Sequence, residues 1–205
     1  MIEQLKSDFN KMTENVKFSE SNIEFRKKNL TNFIDKGFPN KRIEDWKFSD
    51  LNQIISSNIK NLSFYNDKTY EPKDQLSLIN KFEHNKIIFI NGVISKVDIK
   101  YEDDTKVLIN NGLDLSNNTN GINPLISLNH ALASAHIGIT VKENYSLNKP
   151  LFLYNITTED VNSTALNLRT DIKLEKNSNL KLVTIFDDQS QNNFININQN
   201  FDIAQ

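Results

Sequence analysis

From residue 1 to 62 the apolar side chains recur at helical spacing. Ile2, Leu5 and Phe9 form one stripe, and after Ser19–Ser21 a second stripe runs through Ile23, Leu30, Phe33 and Ile34. Gly37 stops that run, and Phe38-Pro39 sets a turn because proline fixes its own φ and biases its neighbour toward extended backbone. Leu51, Ile54 and Ile55 then give a shorter amphipathic helix starting after Ser49, whose hydroxyl is its expected cap. Trp46 and Phe48 are expected to form the core that locks this joint, with anchoring of a partner as the other reading. Residues 1–62 therefore read as an N-terminal helical domain.

Residues 63–84 lose periodicity and carry turn chemistry at Asn66-Asp67-Lys68 and Glu71-Pro72-Lys73-Asp74, which reads as a linker. In residues 85–136 the hairpin signal is strong. Ile87-Ile88-Phe89-Ile90 and Val93-Ile94 flank Asn91-Gly92, a pair that tolerates the positive φ angles of a type I′ turn. Val107-Leu108-Ile109 adds a short strand before Asn110-Asn111-Gly112, and one helix follows, with Asn123 as N-cap, Pro124 at its first position and Leu125, Leu128, Leu132 and Ala135 on one stripe.

Over residues 137–205 the period changes to two. Ile137, Ile139 and Val141 alternate with small or polar residues. Leu166, Leu168, Ile172 and Leu174 oppose Arg169, Asp171 and Lys173, and Ile195, Ile197, Phe201 and Ile203 repeat the arrangement. Spacers such as Glu175-Lys176-Asn177-Ser178-Asn179 are too short for a crossover helix, which leaves an antiparallel sandwich or the coils of a parallel β-helix. Phe201-Asp202-Ile203-Ala204-Gln205 reads as the middle of a strand without a polar cap, so the chain is expected to be a piece of something longer.

Composition narrows the function. The chain has 205 residues, with 24 basic and 26 acidic side chains interspersed and a formal net charge of -2, which argues against nucleic acid as a partner. The apolar run Ile87–Ile90 is far shorter than the roughly 20 residues of a spanning helix, and no signal-peptide core follows Glu3, so the expected location is the cytoplasm. Cysteine is absent, which removes disulfides, thiolate nucleophiles and cysteine-held metal or iron–sulfur clusters from this chain. The abundance of Asn, Lys and Ile reads as a habit of composition.

Candidate chemistry is sparse. His84, His130 and His136 lack metal-pair spacing and read as structural or surface residues. Asp103-Asp104 and Asp187-Asp188 read as turn charges, and Lys41-Arg42 and Arg26-Lys27-Lys28 as solvated basic faces. Phosphate-binding glycine loops and a serine nucleophile elbow are both missing. No catalytic, cofactor-binding or metal-ligating residue is assigned.

Phe38-Pro39, Lys41-Arg42 and Glu44-Asp45-Trp46-Lys47-Phe48-Ser49-Asp50-Leu51 resemble the N-terminal signature of SufD-type members of the SufB/SufD family of iron–sulfur cluster assembly scaffolds. Phe48 and Ser49 stand where the family has Tyr and Thr. Phe89–Ser95, Leu128–Ala133, Lys149-Pro150-Leu151 and Leu168-Arg169 agree in order and kind. The resemblance marks Phe38, Pro39, Arg42, Glu44, Trp46, Lys47 and Leu51 as signature positions, structural or partner-binding.

It implies an α+β fold, a small N-terminal helical domain followed by the start of a right-handed parallel β-helix over residues 137–205. It also implies truncation, since such proteins are about twice this length. The implied function is a non-enzymatic scaffold subunit acting with SufB and the SufC ATPase, with the cluster held transiently by the full complex and no cofactor in this chain. The alternatives are a polysaccharide-acting enzyme using Asp171, Asp187, Asp188 and Asp202, or a stand-alone protein-binding β domain. An unpaired last strand would also favour self-association.

Overall fold

The computed structural model describes residues 1–66, 78–110 and 123–204. The proposed turns at Asp67-Lys68, Glu71–Asp74, Asn111-Gly112 and Asn120-Gly121 lie outside them. Among the described residues there are four α-helices, which share one hydrophobic cluster: α1 (Ile2–Asn15), α2 (Glu20–Lys36), α3 (Leu51–Asn58) and α4 (Pro124–Leu132). Ser19 caps α2 by accepting from the Asn22 N–H. Gly37 ends it at φ 67° and ψ -170°, a conformation essentially reserved for glycine. Asn123 caps α4 with Pro124 in the first turn. The expected Ser49 cap is corrected: Asp50 caps α3, its carboxylate accepting from the Gln53 N–H at 2.9 Å.

The described residues contain eight strands, β1 (Asn85–Ile90), β2 (Val93–Asp98), β3 (Val107–Asn110), β4 (Ala135–Val141), β5 (Leu151–Thr157), β6 (Ala165–Leu174), β7 (Leu182–Asp188) and β8 (Phe194–Ile203). They form two four-stranded sheets, ordered β2-β1-β5-β7 and β3-β4-β6-β8. Each sheet is mixed, because an antiparallel pair at one side (β1–β2, β3–β4) joins a run of parallel pairs. Asn91 at φ 51° and Gly92 at φ 83° turn β1 into β2. The sheets enclose Ile87, Phe89, Leu151 and Leu153 from one side and Ile137, Ile139, Leu168 and Ile172 from the other. β5 is buried on both faces, as its unbroken Leu-Phe-Leu-Tyr start suits.

This corrects the expected fold. The chain is α+β with two mixed sheets; a right-handed parallel β-helix is not what these pairings establish, since each sheet begins with an antiparallel pair. Nor are helices confined to the N-terminus. α4 falls between β3 and β4, and its Leu128, Ala131 and Leu132 share one core with Leu5 and Phe9 of α1, Phe33 of α2 and Ile55 of α3. A hairpin-connected antiparallel sandwich over residues 137–205 is excluded as well, because β4–β6, β5–β7 and β6–β8 are all parallel.

Candidate functional site

The densest chemistry lies where α4 covers the outer face of the second sheet. Alternation along β6 sends Leu166, Leu168 and Ile172 into the inter-sheet core and Asn167, Arg169 and Asp171 to the opposite face. Register places His136 of β4 and Asn198 of β8 on either side of Arg169. Arg169 Nε donates to both oxygens of Asp171 at 3.1 and 3.0 Å, and His136 Nε2 lies 2.7 Å from Asp171 Oδ2. Partial burial raises the Asp171 carboxyl, but the hydrogen bonds from His136 and Arg169 outweigh it and hold the group below its ordinary value.

His130 reaches the same place from α4, its Nε2 lying 3.3 Å from Asn198 Nδ2 and its ring packing on Phe25. Burial pushes the His130 imidazole down to about 4, the positive charge of Arg169 adds to this, and Asp171 opposes it. Asn129 ties the other side of the helix to the sheet, donating to the carbonyls of Leu168 and Asn196. Arg169 Nη1 is buried without a protein hydrogen-bond partner.

Behind α4 stands Arg26, fully buried although it belongs to a basic run expected to face solvent. Its Nη1 donates to Ala131 O at 3.0 Å, its Nη2 to Ala133 O at 3.1 Å and its Nε to Asn22 Oδ1 at 2.7 Å, with the guanidinium over the Phe18 ring. It therefore supplies the donors that the last turn of α4 lacks. Burial, reinforced by Arg169, lowers its proton affinity to a pKa of about 9. Together these groups fasten α4 to α2 and to β6 and β8, with His136 of β4 tied in through Asp171. Asp171 has both oxygens engaged and His130 is neutral near pH 7, which is the chemistry of a clamp.

The signature segment divides in two. Phe38 is buried edge-on between Phe33 and Phe194, at centroid distances of 5.1 and 5.4 Å. Pro39 is buried too, and its carbonyl accepts from the Leu51 N–H at 3.0 Å, with Leu51 packed against the helical core. Arg42, Glu44 and Lys47 face solvent, the last two joined at 2.9 Å. Trp46 is half-buried in a short 3₁₀ turn, and Phe48 is 88% exposed under the Lys47 ammonium. The expectation that Trp46 and Phe48 lock the joint is corrected: Phe38 does so.

The remaining candidates do not converge. Asp171 and Asp202 lie on β6 and β8 of the second sheet and Asp187 and Asp188 on β7 of the first, so a shared carboxylate groove is not formed. Asp103 closes a turn by accepting from the Thr105 N–H and hydroxyl. His84 is buried against Phe152 and Tyr154, its Nε2 2.9 Å from the Tyr154 hydroxyl. Among the described residues, no three His, Cys, Asp or Glu side chains are grouped as a metal ion requires, and no helix is long and apolar enough to cross a membrane.

Compared with protein-family models and with curated proteins, the sequence matches none. The clamp is what sequence reasoning missed. The spacing of His130 and His136 speaks only against a metal pair, whereas α4 ends at Leu132 and β4 begins at Ala135, so the two residues approach Asp171 and Arg169 from different elements. The signal that could have found it is the Asn-x-Arg-x-Asp alternation in β6, with Leu or Ile at every intervening position but Thr170.

Proposed function

We propose that this chain is a non-catalytic scaffold subunit of the SufB/SufD kind, working in the cytoplasm with SufB and the SufC ATPase in iron–sulfur cluster assembly. The observation that carries the reading is the segment Phe38–Leu51. Its sequence resembles the family signature, and its buried Phe38 and Pro39 hold Arg42, Lys47 and Phe48 out in solvent, the disposition of a recognition segment on a rigid base. The cluster being assembled is cargo of the whole complex, and no residue of this chain is assigned to it.

Co-purification of the full-length gene product with SufB and SufC tests the proposal. Recovery of both partners is expected, and recovery of neither overturns it. The 205-residue chain alone is expected to hydrolyse no ATP and to bind no cluster, so a stoichiometric iron signal on it would also count against the reading.

A further inference from the structure

We propose that the cleft between residues 79–84 and the outer face of the β1–β2 pair is a phosphate-binding site, taking inorganic phosphate or the phosphate group of a monoester. The inference stands independently of the scaffold assignment above. The cleft has a volume of about 320 Å³ and is lined by Lys81, Lys86 and Lys100 together with Glu83, Asp98 and Tyr101. Lys86 and Asp98 are register partners on β1 and β2, and Lys100 and Tyr101 follow the end of β2. Ile87 points into the inter-sheet core, so alternation turns Lys86 to the opposite face.

The charges of this cleft do not balance. Glu83 is engaged by the Lys149 ammonium at 2.9 Å and Asp98 lies 4.0 Å from that of Lys96, and neither lysine belongs to the lining. Among the described residues, Lys81, Lys86 and Lys100 make no ion pair, so three ammonium groups line one cleft without a carboxylate of their own. The carboxylates next along the chain are occupied as well: Glu102 accepts from Asn85, Tyr145, Asn148 and the Lys149 N–H, and Asp103 accepts from Thr105. Like charges gathered in a concave site concentrate positive potential there, and a bound dianion relieves their repulsion.

A phosphate group carries a charge of about -1.5 to -2 at neutral pH and three strong acceptor oxygens, which three ammonium donors acting as point charges can meet. The walls are fixed before a ligand arrives, which keeps the ordering cost of binding low. His84 is buried with both ring nitrogens engaged, Nδ1 donating to Phe82 O at 3.0 Å and Nε2 lying 2.9 Å from the Tyr154 hydroxyl. The Tyr154 oxygen also accepts from the Ile79 N–H at 3.3 Å, so residues 79–84 are tied to β5 at both ends. On the other wall, Asn148 Nδ2 donates to Tyr101 O. Phe82, 48% exposed, and the Tyr101 ring, with the Lys100 ammonium 5.1 Å from its centroid, offer aromatic surface to the organic part of an ester.

Titration of the 205-residue chain with inorganic phosphate at neutral pH and constant ionic strength, followed by amide chemical shifts, tests this. Saturable shifts are expected in residues 79–86 and 98–101, with phosphate and not with chloride. Lys86→Gln and Lys100→Gln should each weaken binding about tenfold. Asp98→Asn, which removes a repelling carboxylate, should tighten it about threefold. Lys27→Gln, on the exposed side of α2, should leave it unchanged. Phenyl phosphate separates the two sources: tighter binding than inorganic phosphate assigns the site to an ester whose organic group lies on Phe82 and Tyr101, and equal binding assigns it to free phosphate. Shifts that do not saturate, that chloride reproduces, or that persist unchanged in both lysine variants would each overturn the proposal, as would an Asp98→Asn variant that binds more weakly than the parent.

Discussion

Replacing Arg26 by Met tests whether α4 is held by a buried guanidinium fork. Burial lowers the Arg26 pKa from 12.5 to about 9, which corresponds to about 5 kcal/mol of disfavour for the charged form. The methionine variant recovers that cost and keeps most of the packing volume. It forfeits three charge-assisted hydrogen bonds, each contributing about 1.5–3 kcal/mol. Those two effects come close to cancelling, so the sign is decided by what is left behind. Ala131 and Ala133 are both fully buried, and each bare carbonyl costs about 1–3 kcal/mol.

The expected outcome is a destabilisation of about 2–5 kcal/mol, a fall in Tm of roughly 5–15 °C for a chain of this size. Arg26→Lys should be no better, because one ammonium on a flexible stem does not reproduce a planar fork spanning two carbonyls. Urea denaturation followed by circular dichroism reads both. A methionine variant as stable as the parent would refute the reasoning, and a lysine variant clearly better than methionine would show that charge, not the fork, holds the helix.

Other perturbations give independent checks. His130 takes its proton at about 6.5 when unfolded and about 4 when folded, so the unfolded state binds more protons in that window and stability drains as pH falls through it. About 2 kcal/mol should be lost between pH 7 and pH 5 from this group, and His130→Asn should flatten that part of the denaturation profile. Glu102 accepts from Asn85, Tyr145, Asn148 and the Lys149 N–H. Partial burial opposes ionisation there, but the donors prevail and its pKa is lowered, so its contribution is lost as pH falls below its ordinary value of 4.5. Glu102→Gln, which turns an amide donor toward those donors, should cost about 2–3 kcal/mol at pH 7 and reduce acid sensitivity in the same titration. Gly37→Ala meets no atom within 4 Å, so thermal unfolding should register only the backbone cost of φ 67°, about 1–3 kcal/mol.

What was legible in the chain was what the backbone itself dictates. Alternation set the strands, and Asn91-Gly92 set the β1–β2 turn. Strand partners were not legible, because period two says which residues share a face but not which strand lies beside them. The high Asn content was misread as habit. Asn61, Asn91, Asn144, Asn177 and Asn192 all hold positive φ, a conformation that Asn tolerates better than most residues. Asn177 Nδ2 also donates to Asn144 Oδ1, joining two of these corners. Part of the asparagine content is thus a turn code.

The clamp was illegible for a related reason. The apolar stripe of α2 reads as Ile23, Leu30, Phe33 and Ile34, whereas the buried face runs through Asn22, Arg26, Asn29, Leu30 and Phe33. Hydropathy assigns arginine to water, yet Arg26 is buried because the end of α4, remote in sequence, exposes carbonyls that need donors. Arg169 is buried as well, and it pairs with Asp171 of its own strand, whose other contact, His136, comes from β4. Buried polar residues answer to partners brought by the fold, so periodicity places them on the wrong side whenever the partner comes from another element. Phe48 is the converse: its aromatic character argued for the core, but Phe38 already fills the space beside Phe33 and Phe194, and Phe48 is left for solvent or for a partner.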